Sequence, residues 1–426
     1  MHSPRRILVF PCGSEIGLEI HRSLQYSTHF ELIGGSSVED HGHFVFDEYI
    51  GDLPFHNTPD FLNRINEIVH THRIDAIYPA MDAVANTLQG LSEKLNCRII
   101  GSDKNATAIC ASKRATYDFL DGIVPLPRNY SSIETAKYPI FIKPDQGYGG
   151  RNCCKASSPD AAAQFMSNNS TQSMLLLEYL PGREWTIDCF TDRHGDLRFH
   201  AARERKRISN GISVKTIPST EFSSDFGKWA QSINQALRPR GAWFFQARED
   251  AEGRPRLLEV AARLGGSSGI FRCQGINFAL LSAFDAFDQD VGIALNTYAI
   301  ELDRALNNKY RLDINYRHIF IDLDDCLIIR GGINHQLIGF VFKSISEGKT
   351  INLLTRHSKN LQETLKKYRI EHIFDKIIHL KSNEKKSDFI EDKDAIFIDD
   401  SFKEREDVAK NNHIPVFSPD MIEALY

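Results

Sequence analysis

The chain has 426 residues, of which 42% are hydrophobic and 25% charged, with a formal net charge of −5. This is an ordinary globular composition, and the length suggests about three domains of ~150 residues. The slightly acidic balance, with no large basic block, disfavours nucleic acid and anionic membranes as partners. No apolar run approaches the ~20 residues of a membrane helix. The stretch Ile7 to Phe10, after Arg5 and Arg6, is too short for the centre of a secretory signal, so a cytoplasmic protein is expected. The eight cysteines include no C-x-x-C pair, and adjacent Cys153 and Cys154 are poorly placed to bridge or to bind zinc. Reduced, packed thiols are expected.

Over residues 1–100, short apolar runs alternate with helical segments. Strands are predicted at Ile7–Phe10, Phe30–Gly34, Ala76–Pro79 and Arg98–Ile100, with helices at Glu15–Gln25, Phe61–His72 and Val84–Leu95. Such alternation predicts a parallel, doubly wound sheet. The turn Pro11 to Gly17 follows the first strand but lacks full G-x-G-x-x-G spacing, so it reads as a tight turn between strand and helix, with anion binding as the alternative.

Over residues 101–306 strand pairs dominate: Ile140–Lys143, Met174–Glu178, Trp185–Phe190, Leu197–Ala201, Trp243–Ala247 and Leu257–Val260. This predicts an α+β region with an antiparallel sheet. The polar stretch Asp303 to Tyr316 reads as a joint, and a second α/β domain is predicted over residues 316–426.

In that last domain, the apolar strand His318–Ile321 runs into Asp322-Leu323-Asp324, which places two carboxylates on one face of extended backbone. A second strand, Ile351–Leu354, ends in Thr355, and a third, Ala395–Ile398, ends in Asp399-Asp400; Lys381, Lys385 and Lys386 lie between them. Single strand-end aspartates are ordinary turn formers. The three motifs in this order resemble the haloacid-dehalogenase (HAD) superfamily over nearly all of Ile319 to Leu425. The resemblance implies a Rossmann-like domain in which Asp322 is the nucleophile and Asp324 the general acid and base. Thr355 would contact phosphoryl oxygens and Lys386 (or Lys385) would neutralise charge. Mg²⁺, with Mn²⁺ as the alternative, would lie between Asp322, the Asp324 carbonyl, and Asp399 or Asp400. Cys326 departs from the usual Thr or Val at its position. Only Leu327 to Leu354 separates the first two motifs, too little for a large cap. An open site is expected, suited to a large phosphorylated substrate or one delivered by the neighbouring domain.

In the central region a strand ends at Lys143-Pro144 and is followed by Asp145-Gln146-Gly147-Tyr148-Gly149-Gly150, whose backbone N–H groups could wrap phosphates. Farther on come Glu178-Tyr179-Leu180-Pro181-Gly182-Arg183-Glu184, then Phe245-Gln246, and then Glu259-Val260-Ala261-Ala262-Arg263-Leu264-Gly265-Gly266. With the preceding doubly wound domain, this set resembles the ATP-grasp superfamily over roughly Arg6 to Leu302. Its carbamoyl-phosphate-synthase-like and amino-acid-ligase-like members are the nearest in pattern. The resemblance implies that Lys113, Lys143 and the loop glycines Gly147, Gly149 and Gly150 bind ATP phosphates. Glu178 and the Leu180 backbone would meet adenine and Glu184 the ribose. Gln246 and Glu259 would hold Mg²⁺, and Arg263 would stabilise the transferred phosphoryl group. Many relatives carry Asn where this chain has Ala261, which removes one metal-ligand oxygen.

Arg203, Arg205, Lys206 and Arg207 precede Ser209-Asn210-Gly211. They read either as a solvated hairpin or as a closing loop in which Arg203 and Arg207 grip substrate. Asp82, at a strand end, faces the acceptor or caps a helix. Together these features predict a bifunctional enzyme. An ADP-forming carboxylate–amine ligase would act on small molecules and be fused to a Mg²⁺-dependent phosphatase, with a homodimer as the default assembly. The alternative is a phosphatase regulated by a catalytically weak nucleotide-binding half.

Overall fold

The computed structural model describes residues 3–147, 150–310 and 312–426. The chain divides into two units, Met1–Leu306 and Asn307–Tyr426. In the first, β1 (Arg5–Phe10), β2 (Phe30–Gly35), β3 (Glu48–Ile50), β4 (Ala76–Pro79) and β5 (Arg98–Ile99) form a parallel sheet in the order β3-β2-β1-β4-β5. From Ile7 to Phe10 the strand β1 is apolar and buried because both its faces are covered there. Ile7 and Val9 enter a core with Ile20 and Leu24 of α1 (Glu15–Leu24). Leu8 and Phe10 enter another with Ile65 and Ile68 of α2 (Phe61–Thr71) and Val84 and Leu88 of α3 (Asp82–Gly90). The turn after β1 is a packed strand-to-helix connection. Ser14 caps α1, and a side chain at Gly17 would put its Cβ 2.4 Å from the Cys12 carbonyl oxygen.

Two short helices, α4 (Lys104–Ala111) and α5 (Lys113–Leu120), lead into an antiparallel sheet of β6 (Asn129–Tyr130), β7 (Ile140–Pro144), β8 (Cys154–Ala156) and β9 (Met174–Glu178), in the order β6-β9-β7-β8. Ala162 of α6 (Pro159–Asn168) packs on it beside Ile140, Ile142 and Leu176. The third sheet comprises β10 (Glu184–Thr191), β11 (Leu197–Ser209), β12 (Ile212–Ser219), β13 (Gly241–Glu249), β14 (Pro255–Ala261) and β15 (Leu302–Asp303), in the order β14-β13-β10-β11-β12-β15. Its two faces differ sharply. Trp185, Ile187, Cys189, Trp243, Phe245 and Leu257 pack against Phe226, Trp229 and Ile233 of α7 (Ser223–Leu237). The helices α8 (Gly269–Cys273) and α9 (Phe278–Ala286) instead join the core shared with α1. The other face of the third sheet carries Glu184, Thr186, Asp188, Arg203 and Gln246. Thr186 sits opposite both Arg203 and Gln246, and Gln246 opposite Glu259. Residues opposed across antiparallel strands share a face, so alternation alone lines these polar groups up.

Arg203 overturns the expectation of a gripping or solvated hairpin. It lies within β11 at 2% exposure, with Nε 2.6 Å from Asp188 and Nη1 donating to Ser267 Oγ at 2.9 Å. It braces the chain just after Arg263 and does not face solvent. Arg207, beyond an irregularity in the pairing of β11 with β12, is exposed and pairs with Asp303 at 2.9 Å.

In the second unit, β16 (His318–Ile321) is followed by a small hairpin, β17 (Ile328–Ile329) with β18 (Gly332–Ile333), and then by α10 (His335–Ser346). The chain continues through β19 (Thr350–Thr355), α11 (Leu361–Tyr368), β20 (Lys376–His379), β21 (Ala395–Ile398), α12 (Phe402–Asn412) and β22 (Val416–Phe417). The main strands form a parallel sheet in the order β20-β19-β16-β21-β22. Ile319 and Ile321 pack with Leu337, Phe340 and Leu365 on one face, and Phe320 with Phe397 and Val408 on the other. No helix among the described residues is long and apolar enough to cross a membrane.

The buried pair of Arg203 and Asp188 gives a stability test. Asp188→Ala leaves an uncompensated buried guanidinium and is expected to cost about 3–5 kcal/mol, whereas loss of the exposed Arg207 pair in Arg207→Ala costs at most about 1 kcal/mol. All three tryptophans lie in this unit, so denaturant unfolding followed by tryptophan fluorescence reads both values. Equal midpoints for the two variants would show that the buried pair does not brace the sheet.

Candidate active sites

In the first unit the strand β7 delivers Lys143 into the interior, at 7% exposure. Its ammonium donates to the Tyr117 hydroxyl and to the Leu258 carbonyl, each at 2.9 Å, and Tyr117 itself donates to the Leu258 carbonyl at 2.8 Å. Burial pulls Lys143 down to about 8, with the Glu259 carboxylate pulling the other way. Lys113, the first residue of α5, donates to the carbonyls of Asp145 and Gly147 at 3.3 and 3.1 Å. Burial lowers it too, opposed by Glu259 and Asp82, while Lys143 pushes the same way as burial. The two lysines, from a helix start and a strand end, thus flank the beginning of the glycine-rich loop. Gly147 and Gly150 both take positive φ, 150° and 65°. Gly149, with Tyr148, lies outside the described residues.

Glu178, at the end of β9, accepts from the Arg128 backbone N–H at 3.1 Å, and Leu180 is buried beyond it. Glu184 opens β10 and is buried against Arg205, with Arg248 3.6 Å away. Arg205 also donates to Gln246 Oε1 at 3.1 Å and to the Gly211 carbonyl at 2.7 Å. Of the arginines on β11, therefore, Arg205 reaches the positions expected for ribose and metal, and not Arg203 or Arg207. Its period-two spacing from them was visible in the sequence, but which of the three would meet Glu184 depended on strand register. Tyr117 carries no motif of its own and was also missed.

Arg263 follows β14. It is clamped by Asp82, with Nη2 and Nε at 2.7 and 2.8 Å from Oδ2, and its guanidinium lies 5.3 Å from the Phe244 ring centre. Burial pulls Arg263 down, but Asp82, Glu259 and Glu15 outweigh it and raise it. Glu15, at the start of α1, pairs with Arg304 at 2.7 Å and occupies the space a side chain at Gly266 would need, 1.8 Å from its Cβ. The ends of β1 and β4 therefore meet the Arg263–Gly266 turn. Ala261, at 4% exposure, closes β14 without an oxygen to offer.

In the second unit the sheet brings the three strand-end motifs together. The Lys386 ammonium lies 2.8 Å from Asp322 Oδ1 and 2.6 Å from Asp399 Oδ2. Burial pushes both carboxyls up, Asp399 to about 6, with Lys386 opposing. Burial also presses on Lys386, but the two carboxylates outweigh it and hold it above its usual range. Asp322, Asp399 and Asp400 each present an oxygen within 4.8 Å of the others. The Thr355 hydroxyl is buried and, with Lys386, opposes the rise that burial imposes on Asp322. Lys385 points away, 66% exposed and 3.7 Å from Asp407, so Lys386 is the lysine of the pair that enters the site. Asp324 stands outside the buried cluster, its side chain 53% exposed and 2.8 Å from His357 Nδ1. Two residues beyond Thr355, His357 was not singled out from the sequence, because a lone histidine after a strand carries no signal. Arg405 was missed for the same reason; it donates to the carbonyls of Asp399 and Asp400 at 2.6 and 2.7 Å. Cys326 is fully buried, its thiol 3.7 Å from the Ile398 carbonyl, and supports the loop.

Residues 110–214 match the family described as "ATP-grasp domain", and residues 170–303 match "ATP-grasp in the biosynthetic pathway with Ter operon". The D-alanine–D-alanine ligase of Thermotoga petrophila is 25% identical over 172 residues, and that of Thermotoga maritima 24%. Each match covers 38% of this chain and 57% of the relative, so the chain spans little over half the length of these curated relatives. Among solved structures, the biotin carboxylase domain of Hydrogenobacter thermophilus 2-oxoglutarate carboxylase superposes with a TM-score of 0.58 at 15% identity, covering 69% of this chain and 72% of that one. N5-carboxyaminoimidazole synthetase from Staphylococcus aureus, solved with ADP, gives 0.57 at 18%, covering 68% and 80%. An L-amino acid ligase from Bacillus licheniformis gives 0.54 at 16%, covering 67% and 75%. These likenesses show a shared fold, and the two ATP-grasp family matches run together from residue 110 to 303.

Proposed function

We propose that the chain is a bifunctional enzyme: an ADP-forming carboxylate–amine ligase joined to a HAD-type phosphatase. The ligase reading rests on one observation above the others. Lys113, Lys143 and Arg263 all lie within electrostatic reach of Glu259, which stands opposite Gln246 on the polar face of the third sheet. Lys113 and Lys143 hold the phosphates of ATP, Glu178 and the Leu180 backbone meet adenine, and Glu184 meets ribose. Arg263 steadies the phosphoryl group as it passes to the substrate carboxylate. The resulting acyl-phosphate is attacked by an amine, the bond to phosphate breaks, and an amide forms with release of ADP and phosphate. Relatives named as D-alanine–D-alanine ligase and L-amino acid ligase support amino acids as the class of both substrates.

The phosphatase reading rests on the cluster of Asp322, Asp399, Asp400 and Lys386. Asp322 attacks phosphorus as the bond to the leaving oxygen breaks, and Asp324 gives that oxygen its proton. Asp324 then takes a proton from the water that cleaves the aspartyl-phosphate, which frees phosphate and restores Asp322. The Thr355 hydroxyl donates to a phosphoryl oxygen. The residues fit a hard divalent cation: Asp322, Asp399 and Asp400 each present an oxygen within 4.8 Å of the others. In the first unit Gln246 and Glu259, opposed across β13 and β14, would each offer one oxygen to a Mg²⁺ ion. These residues would hold Mg²⁺, and the chemistry it would supply there is neutralisation of phosphate charge.

A second reading, in which the first unit binds nucleotide only to regulate the phosphatase, is favoured by Ala261 alone. The two are separated by ADP release. With a panel of carboxylates and amines, the full chain is expected to release ADP only when both are present, and Lys143→Ala to lower this rate on the order of 100-fold or more. ATP binding without ADP release across the panel would favour the regulatory reading. Because Lys143 is charged when it holds phosphate and is poised near 8 without it, nucleotide binding is expected to take up protons above about pH 8 and to weaken as pH rises through that value. Calorimetry in buffers of differing ionisation heat measures the uptake, and none at alkaline pH would remove Lys143 from the phosphate site. Hydrolysis of phosphomonoesters is expected to require Mg²⁺ and to vanish in Asp322→Asn.

The acidic site also carries a stability cost. The Asp399 carboxyl sits at about 6, above its ~3.9 in an unfolded chain, so the folded state holds its proton more tightly. Its ionisation therefore destabilises the fold progressively as pH rises from about 3.9, and the full cost is present above about 6. In chelator-treated buffer, Asp399→Asn is expected to raise the thermal midpoint of the second unit more at neutral pH than at about pH 5. A lower midpoint at both would show that the buried charge is not strained.

A further inference from the structure

An acid that must protonate a leaving group has to be aimed, and Asp324 is half exposed to solvent and followed in the chain by a small hairpin. Water alone would leave its carboxylate free to rotate. The structure instead supplies a fixed partner. His357 Nδ1 lies 3.0 and 2.8 Å from the two Asp324 oxygens, and Nε2 lies 2.8 Å from Thr364 Oγ1 at the start of α11. The imidazole is 6% exposed, and the His357 carbonyl accepts from His379 Nε2 at 2.8 Å. Ring and backbone are thus both pinned. The same short segment carries Thr355 and, two residues on, His357, so the end of β19 sets the phosphate contact and the acid together.

We propose that His357 is a positioning residue that aims the Asp324 carboxyl at the leaving-group oxygen, itself oriented by Thr364. This rests on the phosphatase reading and deepens it. The Thr364 hydroxyl donates to Nε2, which leaves the Nδ1 proton for Asp324. One Asp324 oxygen accepts that hydrogen bond while the other carries the proton toward the substrate. In the first step the phosphorus–oxygen bond to the leaving group breaks, the Asp322–phosphorus bond forms, and the Asp324 proton moves to the departing oxygen. His357 neither gains nor loses a proton. It acts through Asp324, and its contribution is largest where the leaving oxygen is most basic.

That dependence is the test. The full-length protein, with Mg²⁺, is assayed on a series running from 4-nitrophenyl phosphate, whose leaving group departs without protonation, to phenyl and alkyl phosphates, whose leaving groups need a proton. The quantity followed is kcat/KM, which reports the first step. His357→Ala is expected to lower it roughly 10- to 100-fold for alkyl phosphates, in line with the cost of a misplaced catalytic group, and by less than about 3-fold for 4-nitrophenyl phosphate. His357→Asn, whose amide nitrogen takes the place of Nδ1, is expected to recover most of the loss. Thr364→Val leaves the ring in place and is expected to show the same leaving-group dependence to a smaller degree, so it keeps the test open should His357→Ala fold poorly. A uniform loss across the series, or no loss at all, in the folded variants would overturn the positioning role. A wild-type protein without Asp322-dependent hydrolysis of any member would instead overturn the phosphatase reading, and the role of His357 with it.

Discussion

Removing an ionised group from water is costly unless an opposite charge is placed beside it. In the second unit Asp322 and Asp399 are buried side by side at the ends of neighbouring parallel strands, and the Lys386 ammonium lies between them. One cation against two carboxylates leaves the site net negative, and burial holds Asp399 up near 6. Such a cluster has no structural benefit that an apolar set would not supply better. Under the proposed phosphatase reading, the imbalance would be removed when a divalent cation and a phosphoryl group bind.

The first unit meets the same constraint differently. Its third sheet turns one face to an aromatic core and leaves the other lined with charge, a division set by the period of two along each strand. Arg203 pairs with Asp188 and Arg205 with Glu184 on that face, and Arg263, just beyond β14, pairs with Asp82. Lys143 is the exception in kind, since it is buried with only neutral oxygens in direct contact, and its proton is correspondingly loose. A lysine held this way gains most when an anion arrives. The pairing of Arg263, just beyond β14, with Asp82, just beyond β4, also ties the third sheet to the parallel sheet.

The three sites of interest in the second unit, Asp322, Thr355 and Asp399, come from three strands that are adjacent in the sheet but distant in the chain. Their shared position follows from parallel pairing, which brings every strand's carboxyl end to one edge. Asp324 is the member that packing does not bury, and the imidazole that holds it comes from beyond Thr355.

Much of this was legible in the amino-acid sequence. Unbroken apolar runs marked β1, β16 and β21 because both faces of those strands are covered, and the order of Asp-x-Asp, Thr and Asp-Asp marked one edge of a parallel sheet. Lys143 and Arg263 stood out because each follows a strand and precedes or opens a glycine-containing turn. What the sequence left open was which charged groups would meet. Three arginines spaced by two on β11 look alike in a linear chain, yet register sends Arg203 beneath the turn after Arg263, Arg205 to Glu184 and Gln246, and Arg207 to the rim. The edge strand β3 was too short and too polar to read, and His357 and Tyr117 carry no local pattern at all. Propensity and periodicity act over a few residues, so they determined the elements and the faces. Charge pairing acts through space between segments far apart in the chain, so only the tertiary structure decided which side chains form each site.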